Sequence, residues 1–146
     1  MKKLIFMLAV FFTGALVSAQ AWTGKGDQKV NLGLNAWGYG TGITATYDYG
    51  LNNFLSVGAG ANAYFDNYKD HDKDNRVFVF GRVNFHLKDA LDLPEKFDLY
   101  PGIDVGVLGN EFGIGAHIGA RYYFTEKIGV FAEVGNNGSL GVSFNF

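Results

Sequence analysis

The stretch Ser139-Leu140-Gly141-Val142-Ser143-Phe144-Asn145-Phe146 ends the chain and decides the fold. Side chains alternate between two sides of an extended chain, so this stretch has an apolar face and a small or polar face. The apolar face carries Leu140, Val142, Phe144 and Phe146. A chain end is usually solvated unless another element holds it. The apolar ending therefore predicts that residues 139–146 pair with another strand.

The same alternation recurs along the whole chain and predicts eight strands. They cover residues 30–36, 42–49, 55–65, 77–87, 97–108, 113–124, 128–134 and 139–146. Gly- and Asn-containing turns or polar connections separate them. The third strand is about ten residues long, the length of a tilted strand that crosses a bilayer. We expect the last strand to close a barrel by pairing with residues 30–36.

The start of the chain predicts export. Lys2 and Lys3 precede an apolar run over residues 4–17, and Ser18-Ala19 supplies small residues for a cleavage site. We interpret residues 1–19 as a signal peptide, 20–29 as a loosely held polar lead, and 30–146 as the barrel. The chain has no Cys, so the sequence predicts neither a lipoprotein anchor nor a disulfide.

Composition excludes one large class of partner. Without Lys2 and Lys3, ten basic residues face fourteen acidic residues, a net charge of −4. Such a chain lacks the basic stripe that binds nucleic acid, and we expect no nucleic-acid partner.

The composition of the polar faces indicates which face of each strand is directed into the barrel. They are rich in glycine, which weakens a water-exposed strand but leaves space inside a narrow barrel. The large side chains that would use this space are Tyr64, Phe78, Arg121, Tyr123 and Phe131. The sequence therefore predicts an all-β, eight-stranded antiparallel up-and-down transmembrane β-barrel with its apolar face toward lipid.

Aromatic residues with outward-pointing side chains gather at one end of the predicted strands. They are Tyr47, Tyr49, Phe85, Phe97, Tyr122, Phe124, Phe144 and Phe146. Rings of this kind favour the membrane interface. At the opposite rim we expect Phe65, with Trp37 and Tyr39 in the nearby turn.

Charged and histidine side chains on the inward faces predict a polar network inside the barrel. Its members are Asp48, Arg82, His86, Asp98, Asp104, His117, Arg121 and Glu133. From the strand register we expect Arg121 within reach of Glu133 for an ion pair, Arg82 near Asp104 and His86 near Asp98, while His117 faces Asp104 from the other side. We interpret the network as a structural plug, since unpaired interior charge is costly. A proton or ion path and a His-acid catalytic pair are the alternatives.

No Ser or Cys nucleophile stands in a recognisable arrangement with the histidines, so we assign no catalytic residue.

Two local features lead to further predictions about the fifth strand and the loop 66–75. Pro101 predicts a bulge, a missing hydrogen bond or a one-residue slip of facing in the fifth strand. Asp70, Asp72 and Asp74 resemble the start of a calcium loop, but Asn75 and Gly81 replace its Gly and Glu. We expect a solvated loop there, and neither a metal nor a cofactor.

The signal peptide, the eight alternating strands and the ending LGVSFNF resemble small outer-membrane barrels of the OmpA and OmpX kind. Residues 119–135, GARYYFTEKIGVFAEVG, are similar to hairpins of outer-membrane barrels from the Bacteroidota. This resemblance implies location in the outer membrane, contact with its lipids and lipopolysaccharide, and a monomer. It also implies that Leu140, Val142, Phe144 and Phe146 form the signal read by the barrel-insertion machinery.

These observations favour a non-enzymatic integral outer-membrane barrel with a polar, largely filled lumen and an envelope-structural or narrow-pore role. A lipid-A-modifying outer-membrane enzyme is one alternative, because some eight-stranded barrels act on lipids. A soluble periplasmic barrel that binds a ligand in the manner of lipocalins is the other.

Overall fold

The computed structural model describes residues 20–37, 41–65 and 77–146. They form eight antiparallel strands that close into one barrel in the order β1 to β8. The strands are β1 (Gln28–Trp37), β2 (Gly42–Gly50), β3 (Leu55–Tyr64), β4 (Val77–Phe85), β5 (Phe97–Leu108), β6 (Glu111–Tyr123), β7 (Ile128–Gly135) and β8 (Gly138–Asn145). The predicted fold class is confirmed. The predicted signal peptide, Tyr39 and the loop 66–75 lie outside the described residues.

The final strand closes the barrel as predicted. β8 pairs with β1, with Leu32 opposite Val142 and Val30 opposite Phe144. The Phe146 amide also donates a hydrogen bond of 3.0 Å to the Gln28 carbonyl. The start of β1 and the end of β8 therefore lie together, at what we call the termini end of the barrel.

The strands alternate between buried and exposed side chains, which gives the barrel an apolar outside and a polar inside. Every second residue of β2 and β4 is buried. Leu34, Ile43 and Ile118 are about half exposed, while Asn31, Asn84 and Ser143 are fully buried. This is the predicted facing, and it is inverted relative to a soluble protein. In the described part of the chain no helix is long and apolar enough to cross a membrane.

Interior glycines lie against large side chains. A Cβ atom on Gly119 would overlap the ring of Tyr100, and one on Gly60 would come within 2.6 Å of the Phe80 ring. At these two positions a close approach requires the absence of a side chain, as predicted, but the rings that use the space are Tyr100 and Phe80, which were not among the side chains predicted to do so.

Pro101 changes the pairing of β5 on one side without changing its facing. β5 and β6 pair continuously from Phe97 to Leu108. The pairing of β5 with β4 ends where Asn84 meets Gly102, beside Pro101. Asp98 and Tyr100 are buried on one side of the proline, and Ile103 is exposed on the other, in unbroken alternation. The predicted slip of facing is absent, since proline removes a donor but still fits an extended backbone.

Aromatic residues line both rims. At the termini end Tyr47, Tyr49, Phe85 and Phe146 are exposed as predicted. At the other end Phe65 is joined by Phe112, which is 70% exposed. The sequence analysis missed Phe112 because β6 begins at Glu111, two residues before the predicted start.

Candidate functional site

Four charged side chains meet near the middle of the barrel interior, and we call them the charge layer: Asp48, Arg82, Arg121 and Glu133. They come from β2, β4, β6 and β7, and all are buried. Arg82 donates to Asp48 through Nε at 2.7 Å and through Nη2 at 2.5 Å. Its Nη1 donates to both Glu133 carboxylate oxygens at 2.9 Å. Because β4 is adjacent to neither β2 nor β7, Arg82 ties strands together across the interior.

Arg121 occupies the position predicted for it but has different partners. It lies opposite Phe131 in the β6–β7 register, as expected. Its Nη2 donates to Asp48 at 2.6 Å and its Nη1 contacts Asp98 at 3.4 Å. The predicted Arg121–Glu133 pair is wrong, because Glu133 bonds to Arg82 from across the barrel.

Tyr100 links the two arginines and Glu133. The Arg121 guanidinium lies over the Tyr100 ring at 4.1 Å from its centroid, a cation–π contact. The Tyr100 hydroxyl donates to Glu133 at 2.9 Å. Each charge of the layer is therefore surrounded by partners, which a buried charge requires.

His86 contacts Asp98, as predicted, and also contacts a serine. Nδ1 lies 2.7 Å from Asp98 Oδ2, and Nε2 lies 2.8 Å from Ser56 Oγ. This is the order of a serine–histidine–aspartate triad, which the sequence analysis did not find. Ser56 is on β3 and His86 follows β4, and the pairing of these neighbouring strands, with Ser56 opposite Asn84, brings the two side chains together.

The serine of this trio is inaccessible. Ser56, His86 and Asp98 are all buried. The Trp22 ring stacks on the His86 ring with centroids 3.5 Å apart and planes within 2°. Asp98 also contacts Arg121. These contacts are those of a structural hydrogen-bond network, since a nucleophile must meet its substrate.

His117 connects β6 to two other strands. Its Nδ1 lies 2.8 Å from Asp104 and its Nε2 lies 2.7 Å from Asn84 Oδ1. The predicted His117–Asp104 contact is therefore present. Arg82 lies opposite Asp104 in the register, so the predicted proximity of the two residues is confirmed, but its guanidinium bonds to Asp48 and Glu133.

The N-terminal lead closes the termini end and is not loosely held as predicted. Ala21 and Trp22 are buried. The Ala21 amide donates to the Glu95 carbonyl at 2.7 Å, and Trp22 Nε1 donates to the Asn53 carbonyl at 2.7 Å. Gly24 and Gly26 have φ angles of 89° and 86°, which let the lead turn back into β1.

The polar residues Asp27, Lys29 and Ser143 at the termini end were not predicted as interior partners, whereas Tyr123 lies inside the barrel as predicted. Lys29 forms a 2.6 Å ion pair with Asp27, and the Tyr123 hydroxyl lies 2.5 Å from Ser143 Oγ. One signal was present for Lys29, because it continues the inward alternation of Asn31, Gly33 and Asn35. Trp22 gave no such signal, since it lies outside any strand.

The other half of the interior contains a small cavity. It measures about 30 Å³ and its lining includes Asn62, Phe78, Phe80 and Asp104. The Phe78 and Phe80 rings stack with centroids 5.0 Å apart. Across the described ranges, no group of three or more His, Cys, Asp or Glu residues could hold a metal ion.

The four residues of the predicted insertion signal lie on the outside of β8 and at its end. Leu140 and Phe146 are exposed, Val142 is slightly less so, and Phe144 is half-buried. They form one continuous apolar row on the outer face of the barrel, beside β1.

Comparison with solved structures shows the same architecture. A designed transmembrane β-barrel superposes with a TM-score of 0.68 at 13% identity, covering 86% of this chain and 99% of the design. The N-terminal β-barrel domain of Pseudomonas aeruginosa OprF superposes with a TM-score of 0.58 at 17% identity, covering 85% of this chain and 100% of that domain. At these identities the likeness concerns the fold. No curated protein matches the chain in sequence. The model of the family of unknown function DUF6646 matches residues 12–139, and the chain belongs to that family.

Proposed function

We propose that this chain is a non-enzymatic, monomeric outer-membrane barrel that contributes to envelope structure and does not conduct solutes. The single observation that carries the proposal is the charge layer, in which Arg82 bridges Asp48 and Glu133 across the interior. The Trp22–His86 stack adds a second obstruction at the termini end. A narrow pore is the less favoured form, because a solute would have to separate several charge-assisted bonds.

The apolar exterior supports placement in the outer membrane, facing its lipids and lipopolysaccharide. Exposed Leu, Ile and Val side chains cover the strands between the two aromatic rims, which is the surface that a bilayer solvates. The likeness to the OprF domain supports the same location. A lipocalin-like soluble barrel would present the opposite face to water.

Planar-bilayer recording tests the proposed closed interior. The purified protein should show no conductance steps above the empty bilayer, while a general porin in the same bilayer serves as the positive control. Reproducible steps from the wild-type protein would overturn the proposed closure and favour the narrow pore.

Fractionation tests the location separately. The protein should enter the outer-membrane fraction and need detergent for release. Recovery in the soluble periplasmic fraction would contradict the proposal and support the ligand-binding alternative.

A fluorophosphonate probe tests the non-enzymatic assignment. The probe reacts with activated serines, and we expect no labelling of Ser56 because its hydroxyl is buried and bonded to His86. The matched control is Ser56→Ala, which removes only the candidate nucleophile. Labelling that the control abolishes would contradict the assignment, and unchanged lipid A in a deletion strain would independently exclude the lipid-modifying enzyme.

We also propose that Phe146, with Leu140, Val142 and Phe144, is recognised by the barrel-insertion machinery. Deletion of Phe146 should lower the amount of barrel inserted in cells more than it lowers the thermal midpoint of the purified barrel. The reason is that its side chain is 76% exposed and contributes little packing. Normal insertion without Phe146 would refute this role.

A further inference from the structure

The backbone pairing of β4 with β5 has a gap beside Pro101. The paired stretch ends where Asn84 meets Gly102, and Pro101, the neighbouring residue of β5, has no amide hydrogen to donate. Beyond the gap, the Leu87 amide donates to the Leu99 carbonyl at 2.9 Å. Side-chain contacts in the gap therefore help to hold the two strands together.

A side-chain hydrogen bond crosses β5 at the edge of this gap. Asn84 on β4, Gly102 on β5 and His117 on β6 stand side by side in the register. The Nε2 atom of His117 lies 2.7 Å from Asn84 Oδ1. A Cβ atom at residue 102 would overlap that oxygen and lie 2.6 Å from the His117 ring. Gly102 thus leaves the space in which the two side chains meet.

Asn84 presents an acceptor to His117. Its Nδ2 donates to Asp48 Oδ1 at 3.3 Å and to Ser56 Oγ at 3.4 Å. Asp48 is the carboxylate that both arginines of the charge layer bind, so it accepts hydrogen bonds and donates none. The opposite orientation of the Asn84 amide would place two acceptor oxygens against each other. Asn84 Oδ1 is therefore the atom that faces the ring.

The other ring nitrogen of His117 faces an acceptor as well. Its Nδ1 lies 2.8 Å from Asp104 Oδ2. A neutral imidazole carries a hydrogen on one nitrogen only, whereas an imidazolium donates through both. His86 differs, because its Nδ1 faces Asp98 and its Nε2 faces the hydroxyl of Ser56, which can donate. A neutral ring satisfies the partners of His86 but not those of His117.

Two carboxylates and one phenol face His117 from the neighbouring strands. Asp104 on β5 and Glu133 on β7 line the same cavity as His117, and the Tyr100 ring meets the His117 ring edge-on, with centroids 6.1 Å apart. Arg82 lies opposite Asp104, but its guanidinium bonds to Glu133 and to a second carboxylate. The Asp104 side chain is 18% exposed, so the His117–Asp104 pair can exchange a proton with solvent.

We propose that His117 is held as an imidazolium that joins β4, β5 and β6 beside Pro101, and that this contact makes the barrel sensitive to pH. A free histidine in water is mostly neutral above about pH 6.5. Folding to the charged ring therefore takes up a proton, and the stability that this proton contributes is present at lower pH and lost as pH rises. A ring without the proton leaves Asp104 or Asn84 without a donor.

Nitrogen-15 NMR of the purified full chain in detergent tests the charge of the ring directly. The spectrum is recorded at about pH 7.5, where a free histidine is mostly neutral. Both ring nitrogens of His117 should show the shift of a protonated nitrogen, and the signals are assigned from their absence in His117→Gln. One protonated and one bare nitrogen on His117 would overturn the proposal.

Thermal unfolding in detergent measures what the proton contributes. Between about pH 6.5 and 8.5 the midpoint of the wild type should fall by about 3 to 8 °C more than that of His117→Gln, because glutamine does not titrate. His86→Gln is the matched control, since it removes the other interior histidine, and it should keep the full fall. An equal fall in the wild type and His117→Gln would contradict the proposal.

Asp104→Asn keeps the shape of the side chain and can replace the acceptor with a donor. A neutral His117 ring then has a donor at Nδ1 and can itself donate to Asn84. We expect His117 to show the neutral NMR pattern in this variant, and the pH-dependent fall to disappear. The variant also decides the question if His117→Gln does not fold. A ring that stays charged in Asp104→Asn would refute the pairing.

Discussion

The two halves of the barrel interior are built in different ways. Toward the termini, Trp22, Tyr100 and Tyr123 fill the space between charges, and every lysine and arginine there has an ion-pair partner. Toward the other end, the interior holds a cavity of about 30 Å³ lined by Asn62, Phe78 and Phe80. One half is thus fixed by cross-barrel bonds, while the other has room for an additional small particle. One sheet can therefore close a barrel and still leave its interior unequally filled.

The largest loss of stability is expected from a substitution of Arg121, the cation that contacts both Asp48 and Asp98 in the termini half. Arg121→Ala removes the arginine partner of Asp98 and one of the two arginine partners of Asp48, which leaves buried negative charge less compensated. We expect a loss of roughly 3–5 kcal/mol in the free energy of unfolding, measured by urea unfolding in detergent.

The control for Arg121→Ala is Lys127→Ala, which removes an exposed cation in the β6–β7 turn and should change stability by less than about 0.5 kcal/mol. Equal stability of Arg121→Ala and the wild type would show that the charge layer does not hold the termini half together.

A smaller loss of stability is expected when the Trp22 side chain is removed from the N-terminal lead. Trp22→Ala removes the stack on His86 and the hydrogen bond to the Asn53 carbonyl. The expected destabilisation is roughly 2–4 kcal/mol, below the range for a fully enclosed Trp because the lead can relax.

Trp22→Phe is the matched comparison, since it keeps an aromatic ring and loses the donor. It should cost about 1 kcal/mol. Hydrogen exchange of the Ala21 amide reports the same contact, and unchanged protection in Trp22→Ala would argue that the ring does not anchor the lead.

The sharpest comparison of the two halves uses two glycines of β6, four residues apart. A Cβ atom at Gly119 would overlap the Tyr100 ring, while at Gly115 the nearest atom lies 3.4 Å away on Asn136. Gly119→Ala should therefore destabilise by roughly 1–3 kcal/mol. Gly115→Ala should be neutral or stabilising by up to about 1 kcal/mol, because alanine has less freedom to lose on folding.

The thermal midpoints of the two glycine variants, measured side by side, decide this point. If both fall equally, the two halves are packed alike and the contrast drawn above is wrong.

Local alternation made most of the fold predictable. Each strand has an apolar outer face and an inner face of small or polar residues, so the period of two is visible in residues such as Leu32, Asn31 and Gly33 without knowledge of any partner. Residues that lie opposite each other across one hairpin could also be predicted, as the Arg121–Phe131 pair shows. The start of β6 was missed, because the turn before it carries no apolar signal that marks Glu111 as a strand residue.

The sequence predicted which residues lie inside the barrel better than it predicted which partners they bind. All eight predicted residues point inward, yet Arg82 and Arg121 bond to carboxylates on strands that no hairpin joins to theirs. Long guanidinium side chains can reach across a narrow interior, so register between neighbouring strands does not determine their partners. The Ser56–His86 contact is different, because it joins the neighbouring strands β3 and β4, and it was not predicted.

The strands, their facing and the closure of β8 on β1 follow from the order of the amino acids, because all three depend on alternation and on an apolar chain end that needs a partner. Which charges meet, how the lead closes one end and where a cavity remains are visible only in the folded barrel. Those features depend on distances across the interior, which are set when eight strands close at one diameter.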